Sequence, residues 1–251
     1  MDIGNTNIKA AVFEGSRLMK RWRCATDPAM TSDQYGIIMA DLFRYHNLNM
    51  QAVEGIMISS VVPTINYTIE HMCRDYFHLE PRLLVPGMKT GLNIALDNPA
   101  TMGSDLVVGA AAALAIHDPP LIIIDMGTAT TMTVIDREAR VLGGAIIPGV
   151  GISLEALASG TSQLPHISLD APKKCISTDT IEAMRSGSVY GTAAMLDGMI
   201  ERMEAELGEP AAVIATGGLG GCPHCRREVI YEKNLLLNGL WELYQKNKRK
   251  R

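Results

Sequence analysis

The sequence predicts an α/β protein built as a duplicated fold, with two domains and a cleft between them. Three observations predict it. Asp2-Ile3-Gly4-Asn5-Thr6 recurs about half a chain later as Asp125-Met126-Gly127-Thr128-Ala129. Each copy leads into an apolar, β-branched run, Ile8 to Phe13 and Thr130 to Ile135, then a polar turn and another strand-like segment, which is the pattern of a β-hairpin. Strand patterns followed by helical ones occur in both halves, as in paired α/β domains. At 251 residues and 47% hydrophobic, the chain has material for two cores in domains of ~125 residues. The boundary is expected at Asp118-Pro119-Pro120, giving domains 1–118 and 119–251.

The elements follow from periodicity in chain order. Only Met1 stands before the first Asp-x-Gly, whereas Leu121 to Ile124 precedes the second. The first strand is therefore expected to be cut short or completed from elsewhere. Helical patterns cover Ser32–His46 and Ile65–Phe77, on either side of a strand at Gly55–Ser59. Ser59-Ser60-Val61-Val62-Pro63 leaves that strand for a turn, because Pro63 cannot donate to a ladder. A strand at Arg82–Val85 and a helix at Gly103–Ile116 complete the first half. Strands at Leu121–Asp125, Val141–Ile147 and Ala212–Ala215 build the second, with helices at Thr180–Leu207 and Asn234–Lys246. In the longest helix Ile181, Met184, Val189, Ala193, Leu196, Ile200 and Met203 recur at helical spacing and predict a broad apolar face.

Composition removes several function classes. Lys plus Arg number 23 and Asp plus Glu 27, a net charge of −4, which does not suit a general nucleic-acid binder. The basic run Lys246 to Arg251 reads as a solvated tail. The apolar stretch Val107 to Ile116 stops at His117-Asp118, well short of the ~20 residues a membrane span needs. No signal-peptide pattern precedes Asp2, and the 5 scattered cysteines suit a reducing compartment, so a cytoplasmic location is expected. Aromatics at 5% and 15 methionines imply a core filled by aliphatic and Met side chains.

The paired loops carry the chemistry. A strand ending in Asp, then Gly, then Thr or Asn, sets a carboxylate beside a tight turn with exposed backbone N–H groups. The glycine lets the main chain approach a phosphate closely, and the Asp can hold Mg²⁺ or its waters. One such turn is weak evidence; two in corresponding places are the signature of the actin-like ATPase (ribonuclease H-like) and sugar-kinase superfamily, where two loops clasp ATP. Val213-Ile214-Ala215-Thr216-Gly217-Gly218, a strand running into a double glycine, resembles that superfamily's adenosine-side turn. No G-x-x-x-x-G-K-[ST] is present, and Gly217-Gly218-Leu219-Gly220-Gly221 lacks dinucleotide-binding spacing. Gly103-Ser104-Asp105 opens an Ala-rich helix, where Asp105 reads either as a helix cap or as a functional carboxylate. Cys222-Pro223-His224-Cys225 offers too few ligands for a structural zinc, and no second Cys/His cluster lies near it in the sequence.

Seven segments stand in the order seen in type III pantothenate kinases, also called the Bvg accessory factor family. They are Asp2 to Thr6, Ser59 to Pro63, Gly103 to Asp105, Asp125 to Thr131, Gly143 to Gly149, Ala183 to Gly187 and Thr216 to Gly218, with a similar closing helix from Leu235 to Asn247. The resemblance implies an ATP-dependent kinase of pantothenate, the entry step of coenzyme A synthesis, acting as a homodimer with the acceptor site at the dimer interface. It implies a phosphate loop at Asp2, Gly4, Asn5, Thr6, Asn7 and Lys9, with Thr128 also on ATP, and Asp105 as general base. It implies a pantothenate site lined by Leu96, Gly103, Ser104, Asp105, Leu106 and Thr180. Asp125 would bind a monovalent cation, K⁺ or NH₄⁺, besides the Mg²⁺ that travels with ATP. The family often has Arg where this chain has Leu106, and Tyr where it has Leu96. Arg185 or a partner subunit's cation could grip the acceptor's carboxylate instead. A kinase of another hydroxylated acceptor and a nucleotide-binding regulatory paralogue remain as alternatives.

Overall fold

The computed structural model describes residues 1–218 and 224–248. They form two compact units: Met1–Gly91 with Asn98–Ala112 and Leu235–Arg251, and Leu92–Asp97 with Ala113–Asn234.

In the first unit, β1 (Asp2–Ile3), β2 (Asn7–Glu14) and β3 (Arg17–Ala25) form an antiparallel meander. Helix α1 (Ser32–Tyr45) follows, then β4 (Met57–Ser60), α2 (Asn66–Phe77) and β5 (Arg82–Leu83). The sheet order is β3-β2-β1-β4-β5, with β1, β4 and β5 parallel. A capping box starts α1: the Gln34 N–H donates to Thr31 Oγ1 at 3.3 Å while the Thr31 N–H donates to Gln34 Oε1 at 2.8 Å. The core joins Ile3, Ile8 and Ile58 of the sheet to Tyr35, Met39, Phe43, Ile69 and Met72 of the helices.

The chain then adds the short strand β6 (Asn93–Ile94), which pairs in the second unit, and α3 (Ser104–Ile116). The second unit continues with β7 (Leu121–Met126), β8 (Ala129–Ile135), β9 (Arg140–Pro148), α4 (Val150–Gly160), α5 (Thr180–Leu207), β10 (Ala212–Gly217) and β11 (Ile230–Tyr231). Its order is β11-β10-β7-β8-β9-β6. Helix α6 (Leu235–Asn247) returns to the first unit, where it packs on β1, β2 and β4.

The expected duplication is present in detail. β9-β8-β7-β10-β11 repeats β3-β2-β1-β4-β5, with β6 added on the outer edge. Even the irregularities correspond, with register shifts between Val12 and Phe13 and between Val134 and Ile135.

β1 is two residues long against six for β7, the short first strand that the sequence leads one to expect. Two features differ from the sequence reading. Helix α4 went unpredicted because Gly149, Gly151 and Gly160 crowd a short segment and mask its period. The compact units are not contiguous halves: Leu235 onward belongs with the first, and Leu92–Asp97 with the second. The broad apolar face of α5 is split as well. Leu196 and Ile200 enter the sheet core, Met184 packs on Val150 and Leu154 of α4, and Ile181 stays exposed. Of Cys222-Pro223-His224-Cys225, the first two residues lie outside the described residues; Cys225 packs at the edge of the second core.

Candidate active site

Asp2 opens the two-residue strand β1 and is buried, 5% exposed, with Lys9 Nζ 3.7 Å from its Oδ2. The antiparallel register sets Lys9 directly opposite it, and the parallel register sets Ser59 on its other side. Gly4 closes the loop, its N–H donating to the Asn7 carbonyl at 3.1 Å, while Thr26 Oγ1 donates to the Gly4 carbonyl at 2.6 Å. Asn5 and Thr6 are left exposed at the tip.

A hydroxyl ties the residue before Asp105 to β4, the parallel neighbour of β1. Ser104 Oγ accepts from Ser59 Oγ at 2.9 Å and from the Ser60 N–H at 3.1 Å, and donates to the Ser60 carbonyl at 2.9 Å. It thereby ties the start of α3 to the end of β4, next to the strand that carries Asp2. Its hydrogen-bonding capacity is filled, so Ser104 acts by placement. Asp105 follows in the first turn of α3, half-buried. Its Oδ1 accepts the Leu106 N–H at 2.8 Å, and no ion pair engages it among the described residues. Gly103 lies close beside it: a Cβ there would stand 2.6 Å from Asp105 Oδ1, so a larger residue would push the carboxylate aside.

In the second unit Asp125 is the penultimate residue of β7, opposite Thr131 on β8 and Thr216 on β10. The Gly127 N–H donates to the Ala129 carbonyl at 3.0 Å, matching the Gly4 turn, and Thr128 is exposed beside it. The Gly149 N–H donates to the Thr128 carbonyl at 3.1 Å. Gly217 has φ +103°, and a Cβ on it would sit 2.5 Å from the Met126 carbonyl oxygen and 2.7 Å from Asp125 Oδ1. Two oxygens thus face a cradle that any side chain would fill. An all-oxygen donor set of this kind suits a hard cation.

The remaining candidates fall elsewhere in the second unit. Leu96 is half-buried, 3.5 Å from where a Cβ on Gly143 would stand. Thr180 begins α5 and lines a groove of about 590 Å³ between α4 and α5, with Ile147, Pro148, Val150 and Leu157. β9 joins the two places, because Pro148 lines the groove and the next residue, Gly149, bonds the Thr128 loop. Arg185 is engaged: Nη2 meets Asp170 Oδ2 at 2.6 Å and Nη1 meets Glu182 Oε1 at 2.9 Å. The Arg185 hydrogen bond, with one from the Lys173 N–H, holds the Glu182 carboxyl below its usual range. The sequence reading quoted Ser59 and Thr216 without a role. Their signal was the hydroxyl ending a strand that becomes the parallel neighbour of each Asp.

A family model described as type III pantothenate kinase matches residues 1–202. Type III pantothenate kinase of Exiguobacterium sibiricum is 44% identical over 250 residues, 99% of this chain and 98% of that protein. That of Halalkalibacterium halodurans is 42% identical over 249 residues, 98% of each. A ROK family glucokinase from Streptomyces griseus, 15% identical, superposes with a TM-score of 0.54 over 96% of this chain and 97% of that one, and shares the duplicated sugar-kinase fold of the actin-like ATPases. Sequence, family model and topology agree, and the chain belongs to the type III pantothenate kinase family.

Proposed function

We propose that the chain transfers the γ-phosphoryl group of ATP to the hydroxyl of pantothenate, giving 4′-phosphopantothenate and ADP. The observation that carries this reading is the repeated Asp-x-Gly turn, each Asp flanked by a hydroxyl strand, with the helix start that carries Asp105 tied through Ser104 to the strand beside Asp2. Asp2, Gly4, Asn5, Thr6, Asn7 and Lys9 hold ATP phosphates by backbone N–H groups, hydroxyls and the lysine charge, and Thr128 adds a contact. The acceptor oxygen bonds the γ-phosphorus as the bond to the ADP oxygen breaks, and Asp105 takes the hydroxyl proton. Mg²⁺ bound to the phosphates supplies charge neutralisation in a reaction where positioning and electrostatics dominate. Asp125 and the Met126 carbonyl hold K⁺ or NH₄⁺ at the Gly217 cradle, on the strength of their oxygen donors.

Gly103, Ser104, Leu106, Leu96 and Thr180 shape the pantothenate site, Ser104 through the start of α3. Arg185 is already paired twice, so the cation for the pantothenate carboxylate comes from the neighbouring subunit of a homodimer. Supporting that assembly, the second unit leaves large apolar side chains exposed: Ile146 on β9 at 76%, Ile152 and Leu157 on α4, and Ile181 on α5. No helix among the described residues is long and apolar enough to cross a membrane, and we place this activity in the cytoplasm. The test is ATP consumption with pantothenate against a panel of other hydroxy acids. Turnover confined to pantothenate is expected; turnover with another acceptor alone, or none, overturns the assignment.

A further inference from the structure

The two sheets hold one peptide in the same way, but with different side chains. Asp2 and Ile3 of β1 lie beside Ser59 and Ser60 of β4, as Asp125 and Met126 of β7 lie beside Thr216 and Gly217 of β10. The peptide linking Ser60 to Val61, and its counterpart linking Gly217 to Gly218, are each pinned at both ends. In the first sheet the Val61 N–H donates to the Ile3 carbonyl at 3.0 Å, and the Ser60 carbonyl accepts from Ser104 Oγ at 2.9 Å. In the second the Gly218 N–H donates to the Met126 carbonyl at 3.1 Å, and the Gly217 carbonyl accepts from the Tyr231 hydroxyl at 2.8 Å. The part of Ser104 is thus taken by the last residue of β11. At the corresponding register position the first sheet has Leu83, which has no proton to donate.

Burial does not account for this tyrosine, which is 37% exposed at the end of a two-residue strand. Its base is held by the backbone. The next residue, Glu232, donates its N–H to the Ala215 carbonyl at 2.8 Å, and its carbonyl accepts from Thr216 Oγ1 at 2.8 Å. Gly217, at φ +103°, has no side chain of its own to restrict the peptide that follows it. The phenol supplies that restriction.

We infer, on the proposed role of Asp125 and Met126 toward K⁺, that Tyr231 is the positioning residue of the cation cradle. By holding the Gly217 carbonyl it turns the Gly218 N–H onto the Met126 carbonyl, and so sets where one of the two oxygens facing the cradle stands. A group behind a ligand tunes an ion's affinity by orienting the ligand. Tyr231 acts here through one peptide.

The test follows the rise in ATP affinity as K⁺ replaces Na⁺ at constant ionic strength, by calorimetric titration with Mg²⁺ present and pantothenate absent. Tyr231→Phe keeps the ring and removes the hydroxyl. It is expected to raise the K⁺ concentration for half of the gain roughly fivefold, the worth of one ordinary hydrogen bond. Ile230→Ala weakens β11 at its other residue. It is expected to lower the thermal midpoint at least as far as Tyr231→Phe does, and to leave the K⁺ dependence as it is in the unaltered chain. An unshifted K⁺ dependence in Tyr231→Phe, or an equal shift in Ile230→Ala, overturns the inference and leaves Asp125 its ion. If the unaltered chain itself gains no ATP affinity from K⁺, the cradle loses its ion and Tyr231 its role together.

Discussion

The two halves share strand order, the place of the register shift, and an Asp that faces a hydroxyl on its parallel neighbour: Asp2 with Ser59, Asp125 with Thr216. They differ on the antiparallel side, where Asp2 meets Lys9 and Asp125 meets Thr131. The first carboxylate thus has a cation supplied by its own hairpin. The second is bordered by hydroxyl and carbonyl oxygens, and by a glycine whose bare α-carbon leaves room beside them. Duplication preserved the backbone while the charge around each copy diverged. On the function proposed above, the first loop uses an internal lysine and the second an external ion.

The sharpest break concerns a residue of the first half, the carboxylate at the helix start that Ser104 ties to β4. Asp105→Asn is expected to cut turnover ~10²-fold or more while leaving ATP affinity and the thermal midpoint in place. Wild-type turnover would reduce Asp105 to a helix-start residue. Next, Thr131→Lys writes the first half's charge pattern into the second. The rate advantage of K⁺ over Na⁺, expected to be roughly tenfold and so worth about 1.4 kcal/mol, should collapse toward unity in this variant. A variant that keeps the full K⁺ response would remove the cation from Asp125.

The smallest effect probes the short strand. The Met1 amine has its pKa lowered from 8.0 to about 6 by burial, against partial opposition from the Asp2 carboxylate and Cys73. Between these values the unfolded chain binds more protons than the folded one, so stability rises with pH across that window and is lowest below it. The gain is of order 2 kcal/mol, a few degrees in midpoint between pH 6 and 8. Acetylating the amine should flatten the response; an unchanged slope would assign it to other groups.

Much of this was legible from residues alone. The Asp-x-Gly echo and the β-branched runs after it fix hairpins in both halves, and the 3.6-residue period locates α1, α2, α3, α5 and α6 to within a residue or so. What escaped had physical causes. Glycines hid α4, because its stability comes from packing Val150 and Leu154 on Met184 rather than from propensity. The return of α6 to the first unit is a long-range packing choice that no local pattern encodes. Within the candidate site, Asp105 stood out by its motif, but Ser104 read as a ligand contact. That its hydroxyl is spent on Ser59 and Ser60 depends on residues 44 and 45 positions away. Arg185 stood out as a free charge for the same reason, since Asp170 lies 15 positions away across an irregular segment.

The return of α6 has a consequence for the order in which the chain can be built. Leu235, Leu236, Leu237, Leu240 and Leu243 are buried in a helix that belongs to the N-terminal unit, where Gly239 sits so close to α3 that a Cβ would lie 2.5 Å from the Val108 carbonyl oxygen. The Asn247 amide reaches the Lys89 carbonyl at 2.9 Å, stitching the two ends of that unit together. On a ribosome, which emits the chain from its N-terminus, the unit that starts first must wait for the last helix to emerge. The unit nested inside it has its whole sequence available earlier. Synthesis therefore leaves the sheet bearing Asp2 uncovered longest, and a stop codon near the end of the message damages the beginning of the protein.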